Sequence, residues 1–307
     1  MSFSTQIKDE IVRIKLRDQK TRLAQLSGLT LTCGTLRSGS TYAVVYQTES
    51  LAVAKHIDFL AGDLFDLDVT MELRERENRR TPLVAVNFGG ADVKKLLLST
   101  GAVKEGEELF RIETGIPAAR IRGDECRRAF LRGCFLGCGS CVNPKRSYHL
   151  EFVCKNEEFA QGLCGILKKH TLSAGLTERK GRFIVYLKDG DSITGFFALI
   201  GANSAALQFE NVRVEKEVRN LINRRSNCEN ANMDKSATAS ARQLAAISSI
   251  MSKADISKLP RPLIQAAQLR INHPEATLNE LAKLAGIQKS GMNHRLERLM
   301  KIARELD

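Results

Sequence analysis

Two nine-residue stretches indicate how this chain folds: residues 26–34 read LSGLTLTCG, and residues 131–139 read LRGCFLGCG. The stretches lie 105 positions apart and share Leu, Gly, Leu, Cys and Gly at equivalent places. The agreement continues with small drifts in offset, since Tyr42 aligns with Tyr148 and Gly101 with Gly201. Such an ordered series of matches indicates a duplicated unit of about a hundred residues.

Each copy of the unit predicts the same order of elements. An apolar helix ending at a glycine is followed by two strands, an amphipathic helix, a second strand pair and a short helix. In the two copies these are glycines 34 and 139, second strands 42–48 and 148–154, amphipathic helices 51–63 and 156–170, strand segments 83–86 and 183–186, and short helices starting near Asp92 and Asp191. The order αββαββα, present twice, predicts an α+β domain with its helices on one sheet face.

Small residues four positions apart mark the first helix of each copy. They are Ala24 and Gly28 in one copy and Ala129 and Gly133 in the other. Residues at this spacing share a helix face, so two such helices can bring their backbones close together. We therefore expect the copies to pack about a pseudo-twofold axis along these helices.

The length of 307 residues predicts two domains. We assign residues 1–212 to the duplicated domain, with repeats at about 20–105 and 123–205, and residues 213–257 to a helical connector. Pro260 and Pro262 mark a new start, because proline is tolerated at the beginning of a helix. Residues 258–307 then form an all-α domain.

The C-terminal residues have the pattern of a helix-turn-helix. Thr277 and Glu280 fit a capping box that starts a short helix, and Gly286 suits its end. Ser290 is placed to cap a longer final helix. The apolar residues expected on the buried faces are Leu263, Ala266, Ala267 and Ile271 before the break at residues 273–274, and Met292, Leu296, Leu299, Ala303 and Leu306 in the final helix.

The outward face of the final helix is rich in hydrogen-bond donors. DNA recognition needs such donors near the N-terminal half of the second helix of the motif. Arginine can pair with guanine, asparagine with adenine, and lysine, serine and backbone N–H groups with phosphates. The residues assigned to double-stranded DNA are Thr277, Lys289, Ser290, Gly291, Asn293, His294, Arg295, Arg298 and Lys301.

The composition is consistent with a polyanionic partner. The formal net charge is +12, from 47 Lys and Arg against 35 Asp and Glu. Eight cysteines are too few for a disulfide scaffold of this length. Residues 1–10 have no apolar core, and the uncharged run 192–209 is too polar for a membrane span. We expect a cytoplasmic, nucleoid-associated protein that does not enter membranes.

The repeated stretches resemble a degraded LAGLIDADG signature, the paired-helix motif of homing endonucleases. With the C-terminal helix-turn-helix, the chain resembles the WhiA family of bacterial DNA-binding regulators over essentially its whole length. Further resemblance lies in the segments 130–133, 147–151, 178–181, 223–224, 227–229, 231–232 and 289–296. The resemblance implies a transcription or cell-division regulator linked to sporulation and chromosome segregation, with other regulatory or division proteins as partners through the N-terminal domain.

One departure from the endonuclease pattern bears on catalysis. LAGLIDADG enzymes carry a metal-binding acidic residue at the eighth position of each motif, whereas this chain has Cys33 and Cys138 there. Thiols are poor ligands for Mg²⁺, which prefers oxygen donors. We therefore predict no nuclease activity, no catalytic residue, no metal site and no cofactor. The alternatives are an endonuclease that uses other carboxylates, or a protein-interaction scaffold.

Two further patterns have competing interpretations. Cys134, Cys138 and Cys141 have a C-x₃-C-x₂-C spacing that suits a [4Fe–4S] cluster. Buried structural cysteine is the preferred interpretation, since Cys138 has a repeat mate in Cys33 that no cluster explains. Two basic stretches could contact DNA or form solvated helix faces: Arg120, Arg122, Arg127, Arg128 and Arg132, and Lys168, Lys169, Arg179, Lys180 and Arg182. His56 and His170 are predicted on polar helix faces.

Overall fold

The computed structural model describes residues 2–38, 42–76, 79–105, 111–254 and 256–306. The chain divides into two compact units, residues 1–215 and residues 216–307. Among the described residues, no helix is both long and apolar enough to cross a membrane.

The first repeat follows the predicted order of elements. It comprises α2 (Gln19–Cys33), β1 (Gly34–Ser38), β2 (Tyr42–Thr48), α3 (Leu51–Leu64), β3 (Asp68–Arg76), β4 (Arg79–Gly89) and α4 (Val93–Thr100). The helix α1 (Phe3–Val12) precedes it. The four strands form one antiparallel sheet in the order β1-β2-β4-β3.

The second repeat has the same plan. It comprises α5 (Asp124–Cys138), β7 (Gly139–Cys141), β8 (Leu150–Cys154), α6 (Glu157–Lys169), β9 (Gly175–Arg179), β10 (Arg182–Leu187) and α7 (Gly190–Ile200). Its sheet order, β7-β8-β10-β9, repeats that of the first copy. The short pair β5 (Val103–Lys104) and β6 (Arg111–Ile112) lies between the repeats. The predicted α+β duplication is confirmed.

Local sequence explains where the helices begin. The side chain of Asp18 accepts a hydrogen bond from the Thr21 backbone N–H at 2.7 Å, and that of Asn156 accepts one from Phe159 at 2.9 Å. Each bond satisfies a backbone donor that the first helical turn leaves unpaired. Helix α2 ends at Gly34 and helix α5 at Gly139, where β1 and β7 begin directly.

The central helices α2 and α5 pack through their glycines. A Cβ atom on Gly28 would lie 2.4 Å from the carbonyl oxygen of Phe130, and one on Gly133 would lie 2.1 Å from that of Gln25. Real side chains do not approach backbone atoms this closely, so the small residues are required by the contact. The predicted packing of the two copies along these helices is therefore observed.

Residues at equivalent positions in the two repeats make equivalent hydrogen bonds. Ser27 donates to the carbonyl of Thr100 at 2.6 Å, and its repeat mate Arg132 donates through Nε to the carbonyl of Ile200 at 2.6 Å. Both bonds tie a central helix to the end of its repeat's last helix. Arg132 is 8% exposed, so its assignment to a surface basic stretch was wrong.

The C-terminal unit is built from the second part of α8 (Asn203–Lys253) with α9 (Arg261–Asn272), α10 (Leu278–Leu284) and α11 (Lys289–Leu306). Helix α8 starts before the predicted connector and is continuous through it to Lys253. Ile247 and Ile250 are 1% exposed and pack in the core of the C-terminal helices. The end of the expected connector is thus part of the packed unit, because its apolar residues recur at helical spacing.

Candidate nucleic-acid interface

The helix-turn-helix is held in shape by its caps and its turn. Thr277 Oγ1 accepts from the Glu280 backbone N–H at 3.3 Å, while a Glu280 carboxylate oxygen accepts from the Thr277 N–H at 2.7 Å. This is the predicted capping box. Gly286 follows α10 with φ +65°, a conformation that glycine adopts without strain. These features fix the direction in which α11 leaves the turn.

The buried side of α11 is close to the predicted one. Met292, Leu296, Leu299 and Ala303 are at most 4% exposed. Leu306, however, is 39% exposed, so its predicted burial was wrong. It lies in the last turn of the helix.

The prediction for α9 was wrong at one position. Ile271 is 44% exposed, and Arg270 is 2% exposed in its place beside Leu263, Ala266 and Ala267. Arg270 donates through Nε to Gln243 Oε1 at 2.9 Å and through Nη1 to the carbonyl of Ala276 at 2.7 Å. A buried guanidinium is tolerated here because backbone and amide oxygens satisfy its donors. It fixes the turn that precedes α10.

Four donor residues share the outer face of α11, opposite its buried side: Ser290, His294, Arg298 and Lys301. Their spacing of three or four positions places them in one row along a helix of 3.6 residues per turn. All four are exposed. We call these residues the recognition face. Among the described residues, Arg298 makes no ion pair, so its guanidinium is available to a partner.

The other predicted donors lie around this row. Asn293 and Arg295 flank it on opposite sides, and both are half-buried. Asn293 Nδ2 donates to Glu297 at 2.9 Å, and Arg295 Nη1 donates to Gln265 of α9 at 3.1 Å. A nucleic acid would have to compete with these bonds. Lys301 lies 3.9 Å from Glu305, a weak pairing on an exposed surface.

The start of α11 differs from the prediction. The Met292 N–H bonds to the carbonyl of Gln288, and the helix begins at Lys289, so Ser290 lies in the first turn and does not cap it. The first N–H groups of a helix have no intrahelical partners and favour anions. Lys289, Ser290 and Gly291 therefore present both side-chain and backbone donors at this end. Thr277, in contrast, uses its side-chain oxygen in the capping box.

Two further exposed cations of these helices lie outside the predicted set: Lys283 on α10 and Arg304 in the last turn of α11. Phosphate contacts need only an exposed cation within reach of the backbone, whatever its place in a motif. A count of every lysine and arginine in the three helices would have included both residues.

The second candidate region is the pair of positions where LAGLIDADG enzymes carry acidic residues. Cys33 and Cys138 stand at the ends of α2 and α5. Burial raises the pKa of Cys33 to about 11, and its thiol donates to the carbonyl of Leu29 at 3.2 Å. A hydrogen bond with Cys154, together with burial, raises the pKa of Cys138. Both groups are neutral thiols near pH 7.

Two of the three cysteines with the cluster-like spacing lie in the core, and Cys138 is partly buried against it. Cys134 is fully buried and Cys141 is 6% exposed, and burial raises the pKa of each. Within the ranges that the structure describes, no group of three or more His, Cys, Asp or Glu residues is arranged to hold a metal ion.

Some residues of the two predicted basic stretches form ion pairs, and others are exposed. Arg127 and Arg128 pair with Asp124 and Glu125 one turn earlier in α5. Arg179 and Arg182 are opposite each other in the β9–β10 pair, and both are exposed. Like charges directly opposite each other repel, salt screens that repulsion on an exposed surface, and an anionic partner would remove it.

Family comparisons cover both units. Residues 127–219 match the family model of the WhiA LAGLIDADG-like domain, and residues 222–303 match that of the WhiA C-terminal HTH domain. The chain is 36% identical over 312 residues to the "Probable cell division protein WhiA" of Clostridium novyi (strain NT), a match covering 100% of this chain and 98% of that relative. The protein of the same name from Clostridium beijerinckii is 36% identical over 314 residues, which cover 100% and 99% of the two chains.

Solved structures show the same architecture. The crystal structure of full-length DUF199/WhiA from Thermatoga maritima aligns with a TM-score of 0.63 and 25% identity, covering 100% of this chain and 99% of that chain. The structure of an N-terminal LAGLIDADG domain of DUF199/WhiA aligns with a TM-score of 0.53 and 23% identity, covering 65% and 90%. The predicted order of a LAGLIDADG-like domain followed by a helix-turn-helix domain is confirmed.

Proposed function

The chain belongs to the WhiA family, and we propose that it is a sequence-specific DNA-binding regulator acting in cell division. The observation that carries the proposal is the recognition face, a row of exposed donors on a helix whose position is fixed by a capping box and a turn glycine. The proposed partner is double-stranded DNA, and we accordingly propose that the protein acts at the nucleoid. The family resemblance supports the further proposal that it regulates transcription and takes part in chromosome segregation or sporulation.

The donors of α11 fall into two groups, one suited to base edges and one suited to phosphates. Ser290 and His294 lie in the N-terminal half of α11, the part of a recognition helix that reaches base edges. Lys289, Lys301 and the first backbone N–H groups of the helix suit phosphates, which position the protein on the duplex. Arg298 has a free guanidinium that fits either a guanine edge or a phosphate. Gly291 leaves room for close approach of the backbone.

We further propose that the chain does not cut DNA. Phosphodiester cleavage in LAGLIDADG enzymes needs divalent metals held by carboxylates. Cys33 and Cys138 are neutral thiols at those positions, and a neutral thiol is a poor ligand for Mg²⁺. The N-terminal domain is then available for other regulatory or division proteins.

The test compares the full chain with a His294→Ala/Arg298→Ala/Lys301→Ala variant. Fluorescence anisotropy on labelled genomic duplexes, with Mg²⁺ present, measures binding, and a denaturing gel of the same samples measures strand cleavage. The proposal expects the variant to bind at least tenfold more weakly and all strands to stay intact. Undiminished binding would overturn the role of α11 and mean that DNA binds elsewhere on the chain, while cut strands would restore the endonuclease alternative. An Arg261→Ala variant, exposed on α9, is the matched control.

A further inference from the structure

A basic groove lies in the N-terminal unit, between the loop that follows α1 and the helix α3. It has a volume of about 510 Å³, and its lining includes Arg13, Lys15, Lys55, His56 and Phe59. Cavities of this size suit small ligands and cofactors. The residues that line the groove belong to the N-terminal unit and differ from Cys33 and Cys138, and neither part of the proposed function uses them.

The charge of the groove favours an anion. Its lining also contains Arg22 and Asp63, which form an ion pair with each other. Among the described residues, Arg13, Lys15 and Lys55 make no ion pair, and all three are exposed. Three unpaired cations around one concavity attract a phosphate more strongly than dispersed surface charges do.

Two aromatic rings, and not charged groups, form the floor of the groove. His56 and Phe59, one turn apart on α3, stack with their centroids 6.4 Å apart and their planes at 27°. Phe59 is 60% exposed, an unusual state for a phenylalanine in a helix whose other face is buried. An exposed aromatic face beside cations suits a nucleobase, because every base has a flat surface that can stack.

His56 was predicted on a polar helix face, and that prediction was wrong, since it is only 8% exposed. Its Nε2 is buried and has no hydrogen-bond partner among the described residues. Burial lowers its pKa to about 4, so the ring is neutral at pH 7. A buried polar atom without a partner is costly and needs an explanation. A ligand bound beside the His56 ring would change the chemical environment of that ring.

We propose that the basic groove binds a nucleoside phosphate. The phosphate contacts Arg13, Lys15 and Lys55, and the base stacks on the exposed face of Phe59. The ligand would then bridge the segment between α1 and α2 and the helix α3.

The test is an NMR titration of the full chain carrying ¹³C-labelled histidine rings, with AMP as the probe. The chain has five histidines, and a His56→Gln variant assigns the His56 signal. AMP is expected to shift that signal saturably, with inorganic phosphate and adenosine each binding at least tenfold more weakly. Phe59→Ala is expected to reduce the affinity for AMP to that for phosphate.

A charge reversal distinguishes binding in the groove from nonspecific attraction of AMP to a basic protein. Lys55→Glu is expected to weaken AMP binding at least tenfold, whereas Lys168→Glu, exposed on α6, changes it less than twofold. The proposal is overturned if AMP produces no saturable shift of His56 or if the two reversals act equally. It is also overturned if phosphate binds as tightly as AMP, because the site would then not recognise the base.

Discussion

Gly28 and Gly133 lie against each other's helices at the centre of the N-terminal unit, each in a place where a Cβ atom would fall within 2.5 Å of a carbonyl oxygen across the interface. The contact joins the two repeats backbone to backbone. Each repeat leaves one face of its central helix without a partner of its own, so the duplicated domain depends on this contact.

Replacing Gly133 with alanine is expected to destabilise the N-terminal unit by roughly 3 kcal/mol, because the new methyl group has no space beside Gln25. The matched control is Gly165→Ala on α6, where nothing lies within 4 Å of the added Cβ atom. That change should leave stability equal or raise it by about 0.5–1 kcal/mol. Urea unfolding followed by circular dichroism measures both, and equal stability of the two variants would contradict the packing described.

Arg270→Met is expected to destabilise the C-terminal unit by about 2–3 kcal/mol. The substitution keeps most of the side-chain volume but leaves Gln243 Oε1 and the carbonyl of Ala276 without their donor. A double-mutant cycle with Gln243→Met isolates the pair. The two changes should cost less together than the sum of their separate effects, and strict additivity would show that the Arg270–Gln243 bond contributes nothing.

His56 predicts a specific pH dependence. Its pKa falls from an ordinary 6.5 to about 4 in the folded chain because of burial. The unfolded chain therefore binds more protons than the folded chain between these pH values. Above pH 6.5 the ring is neutral in both states and folding carries no penalty from it, and stability is lost as the pH falls from 6.5 toward 4. The unfolding free energy of the N-terminal unit should decrease over this window by roughly 3 kcal/mol from this residue.

The unfolding free energy of the His56→Gln variant is subtracted from that of the wild type, with both measured by urea unfolding at several pH values. The difference should vary between pH 6.5 and 4, while His273→Gln, an exposed histidine of the C-terminal unit, should follow the wild type throughout. A difference that is independent of pH would contradict this, because it would mean that folding does not shift the pKa of the His56 ring.

Much of the fold could be predicted because the repeat supplies the same information twice. The order αββαββα and the packing of Gly28 against Gly133 follow from periodicity and small-residue spacing. Burial of polar residues could not be predicted in this way. Arg132 and Arg270 are buried because carbonyl groups happen to lie within their reach, and only the tertiary structure brings those carbonyls there.

The candidate site shows the same limit. The capping box and the row of donors on α11 are local patterns, so the sequence predicts them. Asn293 already donates to Glu297 and Arg295 already donates to Gln265, whereas the guanidinium of Arg298 is free among the described residues. Arg295 and Gln265 are on different helices, so no local pattern pairs them. His56 was misassigned because an amphipathic pattern does not distinguish a half-buried edge from a buried one.

The salt dependence of DNA binding by Arg298→Ala tests whether α11 is the DNA-binding helix. Affinity for a labelled duplex is measured across a range of salt concentrations for the wild type, for Arg298→Ala and for the control Arg261→Ala. If Arg298 contacts a phosphate, the variant loses affinity and the slope of log affinity against log salt falls by about one unit. If it contacts a base, affinity falls at an unchanged slope and specificity relaxes at one position. Wild-type affinity and slope in Arg298→Ala would contradict the assignment of α11 as the DNA-binding helix.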